Sequence, residues 1–323
     1  MNMSLTLSPT DLNFRTHLLG VFCAFAGFSC FAIGDASYKW LMQSHTFFLI
    51  LFLGSVAAIA MMSLYIPFGG GLKLLKTSVP KLQIARTLVI STQFLLSIYS
   101  IRYLPLPIFY TIAFTAPCLS AIMGRVILKE SVSKGNWLAI IIGLVGVFIA
   151  LKPWTSFYEN GFSYEPIAVL GILAASVFLS GSQILARIIG QKSQDSGFTT
   201  AYYPIFFVLI LSGYMYFSTP DMPALSSLHL SEYLLVIIAA LGGVGGNVLL
   251  AISFAKAPPA LAAPFHYSQI IWAMIFGVFL FGDKLDPAML IGVGLVIISG
   301  IYLVTHRFHS KRQIEDEPTI TQL

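Results

Sequence analysis

Charge is what this sequence has least of. Only 10% of its 323 residues are Asp, Glu, Lys or Arg, against roughly a quarter in a soluble globular chain. With 57% apolar residues and a mean hydropathy of +0.85, a soluble enzyme or nucleic-acid-binding module is excluded. Cysteine is also scarce. Cys23, Cys30 and Cys118 fall inside apolar runs, where thiols behave as small apolar side chains, so neither a disulfide framework nor a metal cluster is implied. No HExxH or GxSxG occurs. The glycine-rich stretch GGVGGN at 242–247 lacks the Lys-Ser/Thr ending and the strand context of a phosphate loop. Gly242 and Gly246 instead form a GxxxG pair suited to close helix packing, with Asn247 placed to project into a cavity. No cofactor is expected.

What the chain does have is length of apolar run. Ten segments approach the 20 or so residues that cross about 30 Å of hydrocarbon: about 18–40, 46–66, 84–103, 105–127, 135–152, 164–187, 200–218, 233–255, 259–281 and 286–305. The first is too long for a signal-peptide core and is read as a retained helix. If the N-terminus is cytoplasmic, Lys39, Arg102, Lys152 and Lys284 fall outside and the other fourteen of the 18 basic residues fall inside. Such a bias predicts that both termini are cytoplasmic. The first sixteen residues and the tail 307–323 are expected to be non-membrane ends, the tail a basic collar followed by disorder.

A shift of 153 residues brings Ser100 onto Ser253, Pro105 onto Pro258, Gly124 onto Gly277 and Glu130 onto Asp283. The chain therefore divides into two repeats, 16–152 and 163–306. Each has five spans, an odd number, so the second enters the membrane inverted relative to the first. The predicted fold is an all-α integral membrane protein of ten transmembrane helices in two inverted repeats, an arrangement used for a midplane binding site with alternating exposure.

The motifs that carry a resemblance are RTLVISTQFLLSIYSIRYLPL from Arg86, the FTAP and LKESVSKGNW that follow, and AKAPPALAAPFHYSQIIWAMIFGVFLFGDKLDPAMLIGVGLVIISGIYLV from Ala255. In order and spacing the chain resembles an EamA-type member of the drug/metabolite transporter superfamily over nearly all of residues 16–306. The resemblance implies a ten-helix inverted-repeat fold and a small-metabolite carrier. There are departures: Lys129 stands where glycine is common, Asp283 replaces the commoner Glu, and span two lacks an arginine that many relatives carry.

Polar residues inside the spans are the site candidates, because an ionisable group at bilayer depth costs a few kcal/mol even on the mildest scale. Asp35 lies deep in span one with Lys39 one turn later, either as an acid-first ion pair with the lysine snorkelling outward or as a lining of a cavity. Arg86, Gln93, Ser97 and Ser100 form one stripe; Ser176, Ser180, Gln183 and Arg187 form another. The serines suit interhelical hydrogen bonds, the two glutamines a shared cavity, and the arginines the membrane boundary. In span nine His266 and Gln269 share a face with Ala273 and Gly277, and Trp272 lies beyond. Tyr110, Phe114, Tyr267 and Trp272 offer aromatic walls, and His266 can titrate in a transport cycle. Pro107, Pro117 and Pro264 weaken their helices about one turn earlier.

The function expected is a secondary carrier of a small organic solute (amino-acid-like, nucleoside-like or amphipathic) in a bacterial inner membrane, driven by a proton or solute gradient. Its partners are the solute and the lipid bilayer, with no nucleic acid and with a homodimer left open. Two alternatives remain: an intramembrane enzyme using Asp35 and Asp283 as a facing pair, and a non-transporting receptor or assembly subunit.

Overall fold

The computed structural model describes residues 9–127, 129, 134–152, 164–193, 195, 197–220, 222–256 and 263–315. Glu130, Pro258, the end of the tail and most of the connection before span six lie outside that set. Among the described residues there are helices and no strands, as a chain deprived of water must arrange, since a helix satisfies its own backbone polar groups. The helices are α1 (Pro9–Ser44), α2 (Phe47–Gly69), α3 (Pro80–Tyr103), α4 (Leu106–Ala113), α5 (Ala116–Ile127), α6 (Lys134–Leu151), α7 (Pro166–Lys192), α8 (Gly197–Ser218), α9 (Leu230–Lys256), α10 (Ser268–Phe281) and α11 (Pro287–Glu315). A 3-10 turn, Ala263–Tyr267, leads into α10.

Seven helical stretches are long and apolar enough to cross a membrane, with α4 and α5 together forming one of them. Three shorter apolar helices, Trp137–Leu151, Phe265–Phe281 and Pro287–Tyr302, accompany them. Helix α1 begins at Pro9, well before the first apolar run, and α11 continues as helix to Glu315. The basic stretch after Thr305 is thus helical, while its acidic end lies beyond the described residues.

The main helix pairings are kept when the repeats are exchanged. Exchange takes α1 to α7, α2 to α8, α3 to α9, the α4–α5 pair to the 3-10 turn with α10, and α6 to α11. Helix α1 packs on α9, and its counterpart α7 packs on α3. Helix α1 also touches α10, as α7 touches α4 and α5; α2 touches α9, as α8 touches α3. The pairs α2 with α8 and α6 with α11 map onto themselves.

Glycine sets the closest of these approaches. A methyl at Gly242 of α9 would lie 2.6 Å from the Cys30 carbonyl oxygen and 2.8 Å from the Gly34 Cα of α1, and one at Gly246 would lie 3.0 Å from the Gly27 carbonyl oxygen. The GxxxG reading of this stretch holds, and its partner surface is Gly27 and Gly34. Without a hydrophobic drive between helices in lipid, such backbone contact is a main source of association.

Each end of the bundle is tied across the repeats. At one end His45 Nε2 meets Glu232 Oε1 at 2.8 Å, and Lys152 Nζ meets Asp286 Oδ1 at 2.7 Å. Asp283 follows Gly282, whose φ of 67° ends α10, and its Oδ2 accepts the Leu106 amide at 3.0 Å. Asp283 thus caps the first turn of α4 in the other repeat. At the opposite end Asp195, between α7 and α8, gathers the loop before α3. Its carboxylate accepts from Thr77 Oγ1, from the Ser78 amide at 3.2 Å, from Ser78 Oγ at 3.3 Å and from Gln83 Nε2 at 2.9 Å. Gln83 and Thr77 foremost hold the Asp195 carboxyl down at about 2. Beside it Arg86 donates to the Thr200 carbonyl at 2.7 Å, and Thr199 and Tyr203 reach the carbonyls of Leu74 and Leu75.

Candidate functional site

The site is built where the fourth span of each repeat departs from α-helix. Pro117 has no amide hydrogen to give Ala113, and the helix yields there: α4 stops at Ala113 and α5 begins at Ala116. The Thr115 amide turns back to Ile112 O at 2.9 Å, and its hydroxyl joins it at 2.8 Å. Ser180 on α7 shares its hydroxyl hydrogen between Ala116 O at 2.9 Å and Ser176 O of its own helix at 2.8 Å, and Ser176 likewise lies 3.4 Å from Ile112 O and 3.0 Å from Ile172 O. These serines therefore serve as interhelical donors to the loosened backbone. In the second repeat the 3-10 turn containing Pro264 gives way to α10 at Ser268. Under the 153-residue shift Phe114 corresponds to Tyr267, and their rings meet at 5.1 Å between centroids. Both helix breaks thus come together at the repeats' mutual boundary.

Four polar side chains line up beside that meeting point. Tyr110 of α4 donates to Asp35 Oδ2 of α1 at 2.6 Å. Gln269 of α10 adjoins both Tyr110 and His266. Asp35, Tyr110, Gln269 and His266 thus follow one another as a polar chain of neighbouring side chains from one repeat into the other. Aromatic rings wall it: His266 stacks on Phe28 at 4.7 Å with an interplanar angle of 21°, and meets Phe114 edge-on at 4.6 Å. Tyr110 lies 6.0 Å from Phe114. Tyr267 presents its ring to Phe114 while its buried hydroxyl, which has no partner, is directed at Gly300. Trp272 stands to one side, with its indole N–H on Ser29 Oγ at 2.8 Å.

Of the residues singled out in the sequence, Asp35, Tyr110, Phe114, His266, Tyr267 and Gln269 come together, with Trp272 adjoining. Others do not. Lys39 neither pairs with Asp35 nor snorkels: it is 5% exposed, its ammonium donates to Leu104 O at 2.5 Å, and it lies 4.9 Å from the Phe281 ring centroid. Asp283 is the opposite charge acting on it. The α3 carbonyl end outcompetes the carboxylate one turn back, because it is the nearer acceptor for a side chain pointing along the helix end. Gln93 spends its amide on Ser97 of its own helix at 2.9 Å. Gln183 accepts from Ser120 at 2.6 Å, tying α7 to α5. Asn247 is exposed and donates to Gly243 O of its own helix at 2.8 Å. Phe28 was missed, being one of 26 phenylalanines with nothing in its spacing to single it out.

An all-helical membrane bundle of two exchangeable repeats, with a polar chain enclosed at their boundary, is the architecture of a carrier. The chain belongs to the EamA-like transporter family, whose model matches residues 18–152 and again 166–305. It is similar to an uncharacterized transporter of Helicobacter pylori (strain J99), 26% identical over 294 residues, covering 90% of this chain and 95% of that one. An S-adenosylmethionine uptake transporter of Rickettsia prowazekii (strain Madrid E) is 22% identical over 293 residues, covering 90% of this chain and 94% of that one. One crystal structure superposes with a TM-score of 0.60 over 91% of this chain and 99% of its own at 16% identity, a likeness of fold alone. The protein is a multi-pass transporter of a bacterial inner membrane.

Proposed function

We propose that this protein is a secondary carrier of a small organic metabolite, working by alternating exposure of a site at Asp35, Tyr110, Gln269 and His266. The observation that carries the reading is that polar chain, running from one repeat to the other where their two helix breaks meet. Buried polar groups in lipid are retained at a cost and mark solute or proton pathways. Irregular backbone at membrane depth is tolerated where it is packed by protein or lines a cavity. A relative named for S-adenosylmethionine uptake supports a metabolite as cargo. The fourteen-to-four distribution of basic residues supports cytoplasmic termini. A proton or solute gradient would supply the energy, Asp35 and His266 being the ionisable groups on the path. The paired-aspartate alternative gains no support, because Asp35 is engaged by Tyr110 and Asp283 by Leu106.

The test is a thermal-shift screen of a metabolite library on the purified chain, followed by uptake of each hit into sealed vesicles. Hits are expected to be transported, and Asp35→Asn or His266→Ala to weaken them at least tenfold. Hits indifferent to both substitutions would remove the site from this position.

A further inference from the structure

Asp35 is the only carboxylate in the site, and its usual neutralising partners are accounted for elsewhere. Among the described residues no basic side chain forms an ion pair with it; the ion pairs recorded are His45 with Glu232 and Lys152 with Asp286. Lys39, one turn away, is committed to Leu104 O and the Phe281 ring. His266 makes no ion pair with the carboxylate among the described residues and rests instead between the Phe28 and Phe114 rings. Tyr110 satisfies Oδ2 alone, and Asp35 retains accessible surface although it lies deep in the bundle. An ionised carboxylate at membrane depth calls for a positive charge. From Tyr110, which touches it, the rings of Phe114, His266 and Phe28 follow one another at 6.0, 4.6 and 4.7 Å between centroids. Aromatic faces add cation attraction that strengthens when water is excluded.

We propose that the solute is an organic cation, an ammonium, pyridinium or sulfonium centre beside a flat group, with its charge at Asp35 and its plane against the Phe28, His266 and Phe114 rings. This rests on the site reading above and adds the sign of the cargo's charge. A carboxylate-bearing solute gains nothing here unless it also carries a cation, because no free basic group faces it among the described residues of the site.

The experiment uses the full chain in lipid nanodiscs and three probes of similar shape: phenyltrimethylammonium, its neutral isostere tert-butylbenzene, and the anion phenylacetate. Binding is read by calorimetry, with size-exclusion profiles to confirm that each variant is folded. The cation is expected to bind at least tenfold more tightly than either companion. Asp35→Asn should abolish that preference and Asp35→Glu should keep most of it. Phe28→Leu, which changes no charge, should weaken the cation three- to tenfold. Equal binding of the neutral probe, tighter binding of the anion, or a cation preference that survives Asp35→Asn each overturns the proposal. A metabolite that is transported, is sensitive to His266→Ala and Gln269→Ala, and is neutral or anionic would sink the charge assignment while leaving the site standing. Transport insensitive to all of these variants would sink the site itself.

Discussion

Tyr110 has one hydroxyl hydrogen and gives it to Asp35, so a one-atom change tests the centre of the site. In Tyr110→Phe the ring and its packing against Phe109 and Phe114 remain, but Asp35 loses its side-chain donor. Removing one member of a buried hydrogen bond costs about 1–3 kcal/mol. The expected outcome is a lower unfolding temperature together with solute affinity weakened about tenfold, read by thermal unfolding and by binding on the same sample. An affinity that stays put would make Tyr110 a structural support only. Asp35, His266 and Gln269 were legible from the sequence because polar groups amid so much apolar chain stand out. The direction of Lys39 was not, since a long flexible side chain chooses among acceptors that only the folded arrangement supplies. Phe28 illustrates the opposite blindness: in a chain rich in aromatics, a ring that walls a site has the same signature as one that faces lipid.

Helix α9 presents neighbouring glycines with opposite fates. A methyl at Gly242 would press on the Cys30 carbonyl and the Gly34 Cα, whereas a methyl at Gly243 meets nothing within 4 Å. Gly242→Ala must therefore push α1 and α9 apart, at a cost of about 1–3 kcal/mol. Gly243→Ala should be neutral or should stabilise by up to about 1 kcal/mol through helix propensity. Thermal unfolding of the two variants side by side distinguishes them, and equal loss in both would contradict the α1–α9 seam. The GxxxG spacing made this seam visible from one side. Its partner was hidden, because Gly27 and Gly34 stand seven apart on α1 and match no short motif. The break between α4 and α5 was legible through Pro117, whose missing amide acts wherever the helix runs. That the break would be met by serines of α7 depends on which helices become neighbours.

For the molecule as a whole, the repeat was readable and the ties between its halves were not. The match of proline, glycine and acid at one shift foretold two exchangeable units, and the pairing of helices bears the exchange out. Asp195 sits in an unremarked loop, yet it joins the two repeats through Thr77, Ser78 and Gln83. Its carboxyl lies at about 2 instead of the usual 3.8, chiefly through Gln83 and Thr77. A depressed folded-state value means that its stabilisation is complete above the unfolded value, near pH 4, and is lost as the pH falls towards about 2. Unfolding temperatures of wild type and Asp195→Asn are expected to differ at pH 6 and to converge as the pH is lowered over that window. A gap that persists at the acid end would locate the effect elsewhere.

The cap that Asp283 places on the Leu106 amide has a consequence for the symmetry of such a carrier. An inverted repeat that rocks between two open forms would make them degenerate if every tie at one end had its image at the other. Here the image of Leu106 under the 153-residue shift is Pro259, which has no amide hydrogen to offer Glu130. The same bond cannot be drawn twice, so in a carrier that works as proposed the two ends differ by this one hydrogen bond, roughly 1 kcal/mol.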